Sequence, residues 1–149
     1  MSADAERLLP ALDKVDAQGW MAKGASETYL EQLDSSKQQA RAMADAAKAL
    51  ARNPDKLSAS LELFFRMEGL ETMLGSLQEG IRKYQGAQAA QSLAGLYAEG
   101  GANRERFRRY IVNLAAEREQ QFEVMDREAQ RCRGTLMAPT PNKTIGRKK

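Results

Sequence analysis

The chain has 149 residues, of which 42% are hydrophobic, 29% are charged and 6% are aromatic, and its formal net charge is +3. This length suits one domain with a single core, and the apolar content is higher than that of a disordered chain. Because histidine is absent and Cys132 is the only cysteine, the composition excludes Ser-His-Asp and Cys-His catalysis, the usual zinc sites and a disulfide within one chain.

The apolar residues are mainly Ala, Leu and Met, which favour helices, while β-branched strand formers are scarce. We therefore expect an all-α, antiparallel helical bundle of three long helices, a short helix and an N-terminal helical segment. Residues 1–24 are predicted to be that segment and a loop, and residues 25–134 the bundle core of the same domain. Residues 135–149 are predicted to be a disordered basic tail.

The N-terminal segment is predicted to be an amphipathic helix over residues 2–17. Its apolar side chains recur on one side: Leu8, Leu9, Leu12 and Val15. Two glycines then interrupt the helical pattern, at Gly19 and Gly24, so residues 18–24 are predicted to be a loop. Trp20 in this loop is expected to close one end of the core, and a position in a ligand pocket is the alternative.

The first long helix is predicted to begin at Thr28, whose hydroxyl has capping-box spacing with Glu31. Its packing positions are large at the ends and small in the middle: Tyr29, Leu33, Ser36, Ala40, Met43, Ala47 and Leu50. Pro54 disfavours helical geometry in Asn53 and so ends this helix. The same pair can begin the next helix, with Asn53 as the N-cap and Pro54 in the first position. The first and second long helices are therefore predicted to form a tight antiparallel hairpin.

The second long helix has the clearest periodicity in the chain. Apolar residues recur at alternating steps of four and three: Leu63, Met67, Leu70, Leu74, Leu77, Ile81 and Tyr84. This spacing is typical of a helix packed against other helices. A second apolar row predicts at least two neighbouring helices and consists of Leu57, Leu61, Phe64 and Phe65. Gly86 ends the helix.

A short helix over residues 87–98 precedes the last helix, which is predicted to start at the cap Asn103 and to run to about Arg133. Arg118 interrupts its apolar row, which comprises Phe107, Tyr110, Ile111, Leu114, Phe122, Met125, Ala129 and Cys132. The tail beyond Gly134 has no periodicity, and it carries the cations Lys143, Arg147, Lys148 and Lys149.

Glu68 and Glu71 lie near the middle of the second long helix, one turn apart on the same face. They have three possible roles. They could form an ion pair with Arg118, remain exposed to solvent, or hold a hard cation and act as acid and base. No histidine or phosphate-binding glycine loop accompanies them, so we expect no enzymatic activity, no cofactor and no metal.

A basic cluster near the start of the last helix is the closest approach to a nucleic-acid motif. It comprises Arg104, Arg106, Arg108 and Arg109, with Phe107 and Tyr110 between them. Basic side chains can contact phosphates, and exposed aromatic rings can stack on bases. However, Phe107 and Tyr110 continue into the apolar row, which favours a core position and solvated arginines.

Cys132 occurs in an Arg-Cys-Arg context, which would lower the pKa of an exposed thiol and favour redox chemistry or a disulfide between chains. Its position one heptad beyond Met125 favours instead a small buried apolar residue. We expect the buried role.

Three stretches resemble helical proteins of soil bacteria that have no known activity: GWMAKGASETY at 19–29, LFFRMEGLETMLGSL at 63–77 and VMDREAQRCRG at 124–134. The resemblance covers about residues 10–134. In those proteins a comparable body often follows an export signal, which implies a periplasmic or secreted location if a signal was removed. The sequence as given, without an apolar leader, indicates a soluble cytoplasmic protein.

The sequence thus predicts a non-enzymatic interaction or scaffold protein whose partner is another protein or a second copy of the chain. Nucleic-acid association through the arginine cluster and the basic tail is the alternative. No membrane span is expected, and no small-molecule ligand is indicated.

Overall fold

The computed structural model describes residues 1–137, and within this range the protein forms six α-helices and no β-strand. The helices are α1 (Ser2–Asp13), α2 (Ala17–Met21), α3 (Thr28–Arg52), α4 (Leu57–Tyr84), α5 (Ala87–Glu99) and α6 (Gly101–Met137). The predicted all-α bundle is confirmed. By its contacts the chain divides into a unit of residues 1–114 and a second unit that begins at Ala115.

The long helices α3 and α4 form an antiparallel pair at the centre of the first unit. Gly80, near the end of α4, lies beside Tyr29 at the start of α3. Gly69, near the middle of α4, lies beside Gln39 near the middle of α3. The connection between the helices contains only residues 53–56, and a connection this short favours antiparallel neighbours.

The periodic row of α4 is the main contribution to the core. Six of its seven predicted positions are buried, and Tyr84 is partly buried. On α3, five of the seven predicted positions are buried, while Tyr29 and Ala47 are partly buried. The second row of α4 is less covered, because Leu61 and Phe65 are exposed. The prediction that α4 has two neighbours is confirmed, since it packs against both α3 and α5.

The N-terminal segment completes the core. Helix α1 packs against α3 and α5 and buries Leu8 and Leu12. The predicted loop at 18–24 contains the short helix α2, which Asp16 caps by accepting a hydrogen bond from the backbone N–H of Gly19 at 2.9 Å. Trp20 of α2 is 1% exposed, so it closes one end of the core as predicted.

The start of α3 differs from the prediction. Thr28 is the first residue of α3 and not its cap, and the Ser26 hydroxyl accepts a hydrogen bond from the Thr28 backbone N–H at 3.3 Å. The capping box with Glu31 does not form, because a Thr already in helical geometry cannot occupy the N-cap position.

Two further predicted caps are also wrong. Asn53 and Pro54 lie in a turn, because α4 begins only at Leu57 after Lys56. Asn103 lies inside α6, where its side-chain amide donates to Asp4 of α1 at 2.7 Å. In this case a contact between distant residues uses the side chain that the sequence assigned to a local cap.

Helix α6 continues through Gly134 to Met137 and is therefore longer than predicted. The predicted tail overlaps it at residues 135–137, and the rest of that tail, with its four cations, lies outside the described residues. Within residues 1–137, no helix combines the length and the apolar character needed to cross a membrane.

Candidate interaction surface

The two carboxylates of α4 that the sequence singled out meet an arginine of α6. Arg108 places one guanidinium nitrogen 2.9 Å from Oε1 of Glu68 and 3.2 Å from Oε2 of Glu71. The Tyr97 hydroxyl of α5 donates to the same oxygen of Glu71 at 3.4 Å. The hydrogen bond with Glu68 is the main cause that raises the pKa of Arg108. This cluster connects α4, α5 and the first turns of α6.

Arg118 was the partner of these carboxylates in the ion-pair hypothesis, one of three roles considered, whereas the structure pairs both carboxylates with Arg108. Arg118 lies ten residues further along α6 than Arg108 and donates to Oε1 of Gln121 at 2.7 Å. The sequence placed Arg108 in the basic cluster. However, Arg108 lies less than two helical turns before Leu114, which belongs to the packed apolar row of α6. The sequence signal for this partner is an arginine directly beside Phe107, on the packed side of α6.

The ion pairs of Arg108 with Glu68 and Glu71 contribute little to the free energy of unfolding, because all three side chains are between a third and a half exposed. Exposed ion pairs typically contribute about 0–1 kcal/mol. Among residues 1–137, no group of three or more acidic or cysteine side chains is arranged to hold a metal ion. The contacts of Arg108 with Glu68 and Glu71 thus join α6 to α4.

Arg104 of the basic cluster is buried and makes contacts within the protein. Its guanidinium carbon lies 3.7 Å from the centre of the Tyr97 ring, and one nitrogen donates to the Tyr97 carbonyl oxygen at 2.9 Å. Tyr97 lies in the last turn of α5, where carbonyl groups lack partners within the helix. The position of Arg104 is unfavourable for the dipole of α6 but favourable for that of α5.

The remaining members of the basic cluster do not form one surface with exposed aromatic rings. Phe107 is buried, and the half-buried Tyr110 donates its hydroxyl to the carbonyl oxygen of Pro54. Arg106 and Arg109 are exposed, and Arg106 donates to the side chain of Asn103. Since neither ring is free to stack on bases, the geometry gives little support to the nucleic-acid alternative.

A hollow of about 750 Å³ lies between α1 and α5 and has an apolar floor that includes Leu93 and Leu96. Arg7 on its rim is paired with Asp4 and Glu99, so this cation is already compensated. No pattern in the sequence indicates this hollow, because its walls come from helices that are distant in the chain. It contains no buried polar side chain that would select a ligand.

The second half of α6 presents a long exposed surface. Every residue from 119 to 137 is exposed, including Phe122 at 68%, Met125 at 61% and Leu136 at 85%. The expectation that Phe122, Met125 and Cys132 lie in the core is wrong, because each is exposed. An apolar periodic row indicates that a helix face packs, but it does not indicate which chain supplies the neighbour.

The apolar row of this segment has the spacing of a coiled-coil seam. Phe122, Met125, Ala129, Cys132 and Leu136 follow one another at alternating steps of three and four residues. The outer face is mainly polar, although Val124 and Met137 are exposed there, and it contains an ion pair between Arg127 and Glu123 with an N–O distance of 3.3 Å. Such a helix can bury its apolar side only against another helix or an apolar groove.

Comparison of the chain with protein-family models found no matching family, and comparison with curated proteins and with solved structures found no match.

Proposed function

We propose that this protein is a non-enzymatic interaction module whose residues 115–137 bind a protein partner through one apolar helix face. The observation that carries the proposal is the run of nineteen exposed helical residues, 119–137, with an apolar row at heptad spacing. Large apolar side chains in contiguous exposed positions are characteristic of interaction sites on soluble proteins.

The difference between the two units in the burial of their apolar side chains supports this function. Residues 1–114 contain the buried core from α1 to the start of α6, in which Trp20, Leu70 and Leu77 are fully covered, although Phe65 and Val112 are exposed on its surface. Residues 115–137 supply the exposed large apolar side chains of α6 beyond Val112. The first unit therefore has its own core, whereas no part of residues 1–137 covers the apolar row of residues 122–136.

The chain offers a matched control for testing this face. Val124 is 50% exposed and apolar, like Phe122, but it lies outside the heptad row. Phe122→Asp and Val124→Asp therefore add the same charge to the same helix and differ in the face that they alter. Neither substitution touches the core of residues 1–114.

The test is quantitative capture from an extract of the source organism, with the full chain as bait and captured proteins identified by mass spectrometry. We expect wild type and Val124→Asp to retain the same partner and Phe122→Asp to lose it. If all three baits retain the same proteins, or if no bait retains any and the purified chain is monomeric, the proposed function is wrong. Circular dichroism of each bait verifies that the helices are intact.

A further inference from the structure

We infer that the partner of residues 115–137 is a second copy of the same chain, bound as a parallel, in-register, two-stranded coiled coil. This inference rests on the proposed function, because it assigns an occupant to the same apolar face. Three features of the helix support it: the heptad row, the charges beside that row and the polar residues on the opposite face.

The heptad assignment follows from the spacing. Positions a are Ala115, Phe122, Ala129 and Leu136, and positions d are Arg118, Met125 and Cys132. In a parallel pair related by a twofold axis, each seam residue meets its own counterpart, so one row provides both surfaces. Two other large apolar side chains lie outside the row: Val124 at position c and Met137 at position b.

The charges beside the row favour the parallel arrangement. Residues at position g face the following position e of the partner helix in a parallel coiled coil. Here Glu128 at g faces Arg133 at e, and the pair occurs twice because of the symmetry. In the preceding heptad the Gln121 amide at g faces the Asp126 carboxylate at e. Both contacts are attractive.

Antiparallel arrangements are less favourable. In these, e positions face e positions, and the e residues are Glu119, Asp126 and Arg133. The register that places Glu119 opposite Arg133 also places the two Asp126 carboxylates opposite each other. Every antiparallel register that covers Phe122 within the described helix therefore brings acidic residues against each other. Like charges at these positions select against an arrangement.

Arg118 defines the end of the seam. It occupies a d position, and its side chain donates to Gln121 on the same helix. A charged residue in a seam lowers the stability of the pair and fixes its register. We therefore expect the seam to close over 122–136 and the association to be reversible.

The first measurement is sedimentation equilibrium of the full chain over a wide concentration range in reducing buffer. We expect a monomer–dimer equilibrium whose dissociation constant increases at least about tenfold in Phe122→Asp and in Met125→Asp, which corresponds to about 1.4 kcal/mol. Val124→Asp should leave it unchanged. A monomer at every concentration, or equal weakening by Val124→Asp, would overturn the inference.

The second measurement tests the parallel direction through Cys132. Counterpart d residues face each other in a parallel pair, so diamide should link two Cys132 thiols into a disulfide. The two thiols lose two protons and two electrons, which reduce diamide to the hydrazine. The control is Cys132→Ser combined with Val124→Cys, which presents an exposed thiol away from the seam.

We expect the wild type to cross-link at least about tenfold faster than this control, because the seam holds the two thiols at high effective concentration. A dimer that cross-links no faster than the control would overturn the parallel arrangement. If the chain is monomeric while Phe122→Asp still abolishes capture from the extract, the second-copy inference fails and the proposed function stands. If capture is also unaffected, both fail.

Discussion

The guanidinium of Arg104 lies over the ring of Tyr97, 3.7 Å from its centre, and also donates to the carbonyl oxygen of that residue. One side chain thus joins the start of α6 to the end of α5. Gly100 permits this close approach, because an added Cβ there would lie 2.9 Å from a guanidinium nitrogen.

Replacing Arg104 with Lys should destabilise the protein by about 1–3 kcal/mol, because the planar stack and the charge-assisted hydrogen bond are both lost while the charge remains. The free energy of unfolding in urea measures the effect. Arg109→Lys is the control, since Arg109 is exposed on the same helix. Equal stability of the two variants would contradict a structural role for the Arg104 contact.

Replacing Ser36 should increase the free energy of unfolding, in contrast to the replacement of Arg104. Its side chain is fully buried in α3, and no hydrogen-bond partner for its hydroxyl occurs among the described residues. Since a buried hydroxyl without a partner is unfavourable and Ala favours helices, Ser36→Ala should stabilise the protein by about 0.5–2 kcal/mol.

The matched control for Ser36 is Ser60→Ala. Ser60 is equally buried in α4, but its hydroxyl donates to the carbonyl oxygen of Lys56 at 3.5 Å. Urea unfolding should show a smaller gain or a loss for this variant. A destabilised Ser36→Ala variant would indicate a hidden partner for the Ser36 hydroxyl.

Gly80 lies beneath the aromatic cluster at one end of the core. Trp20 stacks on Tyr84 with 5.5 Å between ring centres and meets the edge of Tyr29 at 5.7 Å. A Cβ added at Gly80 would approach the Tyr29 ring to 2.7 Å and the Trp20 ring to 2.8 Å. Gly80→Ala should therefore destabilise the protein by about 1–3 kcal/mol through overpacking, despite the helix propensity of Ala.

Gly75→Ala provides the comparison for Gly80→Ala, because a Cβ at this position of α4 meets nothing within 4 Å. It should stabilise the helix by up to about 1 kcal/mol. Thermal unfolding followed by the fluorescence of Trp20, the only tryptophan, reports both variants. If both substitutions shift the midpoint in the same direction, the proposed clash at Gly80 is absent.

Asp4 should make the stability depend on pH. The Asn103 hydrogen bond is the main cause that lowers the pKa of Asp4 from 3.8 to about 2, and a hydrogen bond from Arg7 adds to it. Because the folded pKa lies below the unfolded value, the ionised carboxylate stabilises the protein above about pH 4. This contribution disappears as the pH falls from about 4 to 2.

Asp4→Asn removes this contribution. At pH 6 the variant should be less stable than the wild type by about 1–2 kcal/mol, and the difference should decrease steadily below pH 4. Urea unfolding at several pH values measures it. A difference that stays constant from pH 6 to pH 2 would show that Asp4 acts through its shape and not through its charge.

The sequence by itself determined the long helices and the buried faces of α3 and α4. The heptad row of α4 and the row of α3 were predicted almost residue by residue, because helical periodicity fixes which side chains share a face. The same periodicity identified the row through Phe122 and Met125 but assigned it wrongly to the core. A period specifies a packing face without specifying the chain that covers it.

Only the tertiary structure decided which distant residues meet. The pairing of Arg108 with Glu68, the use of Asn103 against Asp4 and the burial of Arg104 all depend on the positions of helices relative to one another. Each of these side chains had a plausible local role as a cap or an exposed charge. The contacts that replaced those roles join residues 40 to 99 positions apart or link the end of one helix to the start of the next, and no local pattern encodes them.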